Sequence, residues 1–496
     1  MLFWFVIIYW AISVGIGLYA STRVHNTKDF AIAGRHLPFY MVTATVFATW
    51  FGSETVLGIP ATFLQEGLGG VVADPFGSSM CLILVGLFFA APLYRMNLLT
   101  IGDYYKKRFG RSVEVLTTLA IVLSYLGWVG AQITALGLVF NVVSGGEISK
   151  LAGMWIGSIT ILIYTVYGGM WAVAVTDFLQ MIIIVIGMLW IGGEVSSMAG
   201  GVDVVIAHAS AAGKFDFWPS LDIKSVLAFT AAWVTMMFGS IPQQDVFQRV
   251  QSSKTEKIAV WGSVLGGSLY FLFAFIPMFL AYSATLIAPD MVASLIDEDP
   301  QMILPRLVLE KAPLIAQIMF FGALLSAIKS CASATLLAPS VTFTENILRP
   351  MVGHKLNDKQ QLLMMRVVTF TFTILVTLYA INSDASIFQM VENAYQVTLV
   401  SAFIPLVAGL FWKRATHQGA LLSIFSGVSV WLAIHIAGGE DPLMPAQLGG
   451  LIAAFLGMLI GSLGPQWLRQ APAHGDDGHK ALHDHAAAQT HHVGPQ

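Results

Sequence analysis

Long apolar runs separated by short polar loops recur along nearly the whole of this 496-residue chain. A helix of about 20 apolar residues crosses a hydrocarbon core of about 30 Å. Runs near or above that length lie at 2–20, 37–66, 69–97, 112–144, 150–168, 171–198, 222–250, 257–287, 304–347, 363–382, 385–411, 417–437 and 444–464. They predict an all-α polytopic membrane protein with about 13 transmembrane helices. A membrane barrel would instead show short strands of alternating polarity.

Two runs are interrupted near their middles, by Gly-Ser-Glu-Thr-Val-Leu-Gly-Ile-Pro from Gly52 to Pro60 and by Gly-Ser-Ile-Pro from Gly239 to Pro242. Glycine and proline free backbone groups that lipid cannot satisfy, so such breaks persist where they line a cavity or hold a ligand. Pro60 and Pro242 are 182 residues apart, about five spans. An odd repeat length gives two halves of opposite orientation, and a five-plus-five inverted repeat with two broken helices is expected. The division follows: 1–36 an extra N-terminal helix and loop, 37–198 and 199–411 the two inverted repeats, 412–469 two C-terminal helices, and 470–496 a tail.

Hydrophobic residues make up 56% of the chain and charged ones 11%, which excludes an ordinary soluble domain. Nineteen of the 25 Lys and Arg residues fall in alternate loops, around Arg23–Arg35, Arg95–Arg111, Arg249–Lys257, Arg349–Arg366 and Lys413–Arg414 and in the tail. By the positive-inside rule these loops are cytoplasmic, so the N-terminus lies outside a cell inner membrane and the C-terminus inside. Residues 2–20 read as a retained helix, since no basic residue precedes them and no clear cleavage site follows. Cys81 and Cys331 both fall in apolar runs, which leaves no disulfide framework. The tail carries six of the twelve His and reads as disordered or as a loose metal binder. The chain contains no phosphate loop, no metal-ligand spacing and no nucleophile with its base, so neither an enzyme, a structural metal site nor a nucleic-acid partner is expected.

Asp177 is a carboxylate inside an apolar run, a position that calls for a cavity, a cation or a basic partner. Ser326, Ser330 and Ser333 share one face of a later run, where small hydroxylated residues serve either close helix packing or cation ligation. Trp50 precedes the first break, Glu54 lies inside it, and Trp128 lies in the fourth run. Glu54 has two open readings: a partner for an amine, or a cap on the amides freed by the break.

The stretch Gly168-Gly-Met-Trp-Ala-Val-Ala-Val-Thr-Asp-Phe-Leu-Gln180, the segment Ile241-Pro-Gln-Gln-Asp-Val-Phe-Gln-Arg249 and the Ser-rich run closing on Thr344-Glu-Asn-Ile347 resemble the sodium:solute symporter family, over about Asp29 to Arg414. The resemblance implies a leucine-transporter-type fold that moves an organic solute on a sodium gradient. It also implies a first cation site from the carbonyls of Ala48, Phe51 and Ala327 with the side chains of Ser330 and Cys331, where Cys331 replaces a hydroxyl with a softer ligand. A second implied site maps to Asp177, Cys331, Ser333 and Ala334, the last without a side-chain oxygen. Within the family the stretches are most similar to the choline and proline transporter branches. Trp50 and Trp128 match an aromatic cage for a quaternary ammonium, while Ser78 and Gln243 stand where further aromatics are expected.

Lys329 is a cation in the middle of the Ser-rich run. At about 100° per residue it points away from Ala327 and Cys331 and flanks Ser333. Pairing with Asp177 in place of a sodium ion is expected, with Glu54, Asp74 or snorkelling as alternatives. The expected function is a secondary active symporter that imports a small amino-acid-like or amine-containing solute with sodium by alternating access. Proton-coupled uptake through Lys329 and a transporter-like membrane sensor are the alternatives, and the expected partners are the solute and the lipid bilayer.

Overall fold

The computed structural model describes residues 1–352, 356–439 and 442–468. The His-rich tail at 470–496 lies outside them. The spanning elements are α1 (Leu2–Ala20), the broken pair α2 (Phe39–Trp50) and α3 (Ile59–Glu66), α4 (Leu68–Arg95), α5 (Arg111–Val143), α6 (Lys150–Met198), the broken pair α7 (Ile223–Gly239) and α8 (Gln244–Ser252), α9 (Glu256–Ile287), α10 (Leu314–Phe343), α11 (Asp358–Ile381), α12 (Ile387–Thr398), α13 (His417–Ala437) and α14 (Ala446–Leu463). Side-chain caps fix many of the helix starts. Ser149, Asp222, Thr255, Asn357, Ser386 and Thr416 each accept a backbone N–H from the first turn that follows, a bond the helix itself cannot supply.

Among the described residues ten helices are long and apolar enough to cross a membrane, or eleven with the α7–α8 pair, which bends by 43°. The expected thirteen is not reached on length and apolarity, for two physical reasons. The 37–66 run divides into α2 and α3, each too short to qualify alone. The 150–168 and 171–198 runs join into α6, whose 49 residues would extend about 70 Å as a straight helix, more than twice a bilayer core. Gly169 interrupts it with non-helical angles, φ 48° and ψ −146°. The 304–347 run is also shorter than expected, because Pro313 separates a short helix, Ile303–Lys311, from α10.

Both expected breaks are present. Helix α2 ends at Trp50, Phe51 has ψ 72°, and a wide-turned segment, Glu54–Gly58, leads into α3. Pro60 sits in the first turn of α3, where its missing N–H costs nothing. A third interruption, at Asp74 (φ −142°, ψ 121°), was not anticipated from the sequence.

Helix α12 passes close to both main breaks. A Cβ on Gly58 would stand 3.2 Å from the backbone nitrogen of Phe388, and one on Gly239 would stand 2.4 Å from the carbonyl oxygen of Tyr395. Glycine is therefore needed at each break for α12 to reach it. Helix α10 lies at the centre: every residue from Ala323 to Thr342 is buried, against α1, α2, α5 and α6. Just beyond it Asn346 donates to Asp103 and Glu114, each at 2.9 Å, and accepts from Thr100 at 2.7 Å, tying the end of α10 to the start of α5.

The Gly169 angles lie in a region that only glycine occupies readily, and a Cβ there would stand 2.5 Å from the Phe30 carbonyl oxygen. Gly169→Ala should cost about 2 kcal/mol or more and lower the melting temperature of the purified protein. Gly193→Ala, where a Cβ meets nothing within 4 Å, is the control and should leave it unchanged or slightly raised.

Candidate functional site

The break after Trp50 exposes backbone acceptors. Among the described residues no hydrogen bond reaches the carbonyls of Ala48 or Phe51, because the chain leaves the helical path before residues four further on can donate to them. Buried carbonyls of this kind are oxygen ligands in waiting for an alkali cation. The neighbouring Trp50 carbonyl accepts from the Thr55 hydroxyl at 3.2 Å.

Glu54 folds back over the break. Its Oε1 accepts from Trp128 Nε1 at 3.2 Å and its Oε2 from Gln132 Nε2 at 2.7 Å. Gln132 Oε1 in turn accepts the Ser53 backbone N–H at 2.9 Å, so it is Gln132 that caps a freed amide at the break. The Cys331 thiol lies 4.0 Å from Glu54 Oε1. Each carboxylate oxygen carries two lone-pair directions, so Glu54 keeps acceptor capacity beyond its Trp128, Gln132 and Cys331 donors.

Above this carboxylate stand three buried rings. Trp50 and Trp128 centroids are 5.4 Å apart, Trp128 and Tyr395 5.4 Å, and Trp50 and Tyr395 6.1 Å with planes 14° apart. Tyr125 stacks on the far side of Trp128 at 6.1 Å and donates to Asp245 Oδ1 at 2.5 Å. The Tyr395 hydroxyl and Asp245 Oδ2 are buried without a partner. Face-presenting aromatics beside a carboxylate hold an organic cation by cation–π attraction and charge.

Ser78 and Gln243 lie outside the ring cluster. Ser78 donates to Asp74 Oδ1 at 2.6 Å; Tyr270 also donates to that oxygen, and Thr55 lies 3.1 Å from the Tyr270 hydroxyl, which links Asp74 back to the break. Gln243 donates to Ser124 at 2.9 Å and to Thr398 at 3.3 Å.

Asp177 is fully buried on α6, where Ser330 donates to its Oδ1 at 2.5 Å and Thr45 donates to its Oδ2. Of the rest of the second implied set, Cys331 lies against Glu54, and Ser333 donates at 3.1 Å to the Ser330 carbonyl on its own helix. Ala327 is buried on α10.

The expected Lys329–Asp177 pair does not form, and neither Glu54 nor Asp74 takes its place. Lys329 projects toward α1, where its Nζ donates to Ser13 Oγ at 2.6 Å and lies 4.7 Å from the Trp10 ring centroid and 5.4 Å from that of Tyr164. The cause is rotation about α10: the face that carries Lys329 meets α1, whereas Ser330, one residue on, turns to Asp177. Two rings and a hydroxyl replace the carboxylate as its environment.

Sequence reasoning missed Tyr395, Tyr125, Tyr270, Gln132 and Thr45. Gln132 was within reach, since it follows Trp128 by four residues and so shares its helix face. Tyr395 carried no local signal, because its role comes from the approach of α12 to the breaks.

The profile of the sodium:solute symporter family matches residues 30–427. The human high affinity choline transporter 1 is 26% identical over 462 residues, covering 88% of this chain and 77% of its own length. The sodium/glucose cotransporter of Vibrio parahaemolyticus is 24% identical (92% and 89%), and the osmoregulated proline transporter of Bacillus subtilis is 23% identical (91% and 93%). In three dimensions the chain is similar to a sodium-coupled sialic acid symporter in a substrate-bound outward-open state, with TM-score 0.79 at 19% identity over 94% of this chain and 98% of that one. A likeness to the transporter MhsT in complex with L-phenylalanine, TM-score 0.54 at 15% identity over 86% and 97%, marks the same fold more distantly. With a match across most of its length and the fold to go with it, the chain belongs to the sodium:solute symporter family and is a sodium-coupled importer of a small solute, not an enzyme.

Proposed function

We propose that the solute is a small organic ammonium compound, held among Trp50, Trp128 and Tyr395 with its charge toward Glu54. One observation carries the reading: a buried carboxylate that touches only neutral donors, directly beside three buried rings. An ammonium ion offers that carboxylate the opposite charge it lacks and gives the rings a cation to face. A neutral sugar would leave Glu54 uncompensated.

In this reading sodium binds at the first break, through the bare carbonyls of Ala48 and Phe51 with Ala327, Ser330 and Cys331, and Asp177 with Ser330 and Ser333 serves as a second cation position. Residues 37–198 and 199–411 are the two inverted halves that rock about the breaks, in a cell inner membrane with the N-terminus outside and the C-terminus in the cytoplasm. The choline relative supports an ammonium substrate, and the proline relative supports an amino-acid-like variant of it.

Uptake into proteoliposomes of choline, glycine betaine, proline and glucose, under an imposed sodium or proton gradient, tests the reading. Sodium-driven uptake of choline or betaine is expected, and uptake of glucose alone would overturn it. Glu54→Gln keeps the shape and removes the charge. Loss of a charged hydrogen-bond partner costs about 1.5–3 kcal/mol, so the KM for the ammonium solute should rise about 10- to 100-fold. Cys331→Ser supplies a hard oxygen and should lower the half-saturating sodium concentration by roughly several-fold, since alkali cations prefer oxygen to sulfur. Because Lys329 faces α1 and no carboxylate, Lys329→Met should preserve the sodium dependence of uptake. Loss of gradient-driven uptake in that variant, with proton-driven uptake in the wild type, would return Lys329 to a coupling role.

A further inference from the structure

A wide cavity lies outside the ring cluster. It has a volume of about 670 Å³ and opens between α3, α7, α12 and the loop that precedes α7. Glu66 at the end of α3 and Glu392 on α12 both line it. Neither carboxylate has a hydrogen bond or a cationic partner among the described residues. The nearby Lys214 ammonium is engaged instead with the carbonyls of Leu64 and Gln65, at 2.7 and 3.1 Å.

The opposite wall is aromatic. Phe217 lies 5.1 Å from Trp218 and 5.5 Å from Phe229, and Trp218 and Phe229 are 5.8 Å apart. Trp218 is 74% exposed, so much of its ring is uncovered. Two unpaired carboxylates facing an open aromatic wall repeat, in wider form, the chemistry of the buried cluster.

The cavity shares helices with that cluster. Glu392 precedes Tyr395 by three residues on α12, which places them on one helix face about 4.5 Å apart along the axis. Glu66 belongs to the broken helix pair that carries Trp50 and Glu54. The floor is the contact of Phe388 with Gly58 at the break itself. Two of the three elements that form the inner site, the broken pair and α12, therefore also form this one.

We propose that this cavity is an outer binding site for an organic ammonium ion, in which Glu66 and Glu392 supply the charge and Trp218 with its neighbours the ring faces, one helical turn before the inner cluster. The proposal rests on the ammonium reading of the inner site, and its experiment separates the two. Radiolabelled choline is bound at equilibrium in sodium chloride to the purified full-length protein in nanodiscs, and the number of sites per chain is counted. The wild type should bind two. The Glu66→Gln/Glu392→Gln protein should bind one, with the outer affinity weakened at least tenfold. Trp218→Ala, on an exposed ring whose loss spares the core, should weaken the same site. Trp128→Ala should remove the other. A single site lost in Trp128→Ala and untouched by the glutamate pair would overturn the outer site and leave the inner reading standing. A single site lost with the glutamate pair and kept in Trp128→Ala would support the outer site and overturn the inner reading. No choline binding to the wild type would overturn both.

Discussion

A carboxylate moved from water into a low-dielectric interior loses several kcal/mol of hydration even after the protein relaxes around it. Besides Glu114, which pairs with Arg111, four such groups, Glu54, Asp74, Asp177 and Asp245, lie buried within this helical assembly. The ion pairs among the described residues, Arg95–Glu256, Arg111–Glu114 and Arg349–Glu345, involve none of them and sit at helix ends. Among the described residues neither buried cation forms an ion pair with them, although the charge of Arg249 acts on Asp177 and Asp245. Lys329 turns to Ser13 and Trp10, while Arg249 donates to the Asp245 backbone carbonyl at 3.0 Å and to Thr49 at 2.7 Å. Hydroxyls, amides, an indole and a thiol make the hydrogen bonds to these carboxylates, and the charge of Arg249 reaches two of them. A core built this way holds a standing demand for mobile cations, and in the proposed reading that is the physical basis on which sodium and a charged solute bind in one place.

The breaks make that demand local. An unbroken helix satisfies its own carbonyls, so a cation deep in a bundle finds few backbone oxygens to bind. The turn at Phe51 frees two of them within a few residues of Glu54, and α12 closes over the same point because Gly58 and Gly239 carry no side chain. In the proposed reading, sodium ligands, carboxylate and rings are thus brought together by one departure from helical geometry, around residues that favour neither helix nor lipid.

This division also sets what could be read from the sequence. Apolar runs, glycine–proline interruptions and loop charge are local or periodic signals, so the helical membrane class and both breaks were legible, as were Trp50, Glu54 and Trp128 as neighbours of the first break. The interruption at Gly169 within α6 falls where the 150–168 and 171–198 runs divide, whereas Asp74 hid a third break, because a change of two dihedral angles leaves no mark on hydropathy. Lys329 shows the other limit. Its angle around α10 was readable from spacing, but what stood at that angle depended on where α1 packs, and an extra N-terminal helix offers no internal cue to its partner. Tyr395 and the cavity around Glu392 were hidden for the same reason, since tertiary approach alone creates both.

The position of Glu54 gives a physical route to coupling in the proposed reading. Its Oε1 is 3.2 Å from the Trp128 indole nitrogen on the solute side and 4.0 Å from the Cys331 thiol on the sodium side. Two cations placed on either side without it would repel each other, and unit charges about 7 Å apart interact by about 2 kcal/mol at an effective dielectric of 20. A carboxylate between them reverses that balance, because the first cation to bind can draw the rotamer and its hydrogen bonds into place for the second. Coupling between ligands typically amounts to only about 1–3 kcal/mol. One shared, otherwise uncompensated charge is enough to supply it, without any signal passing through the rest of the fold.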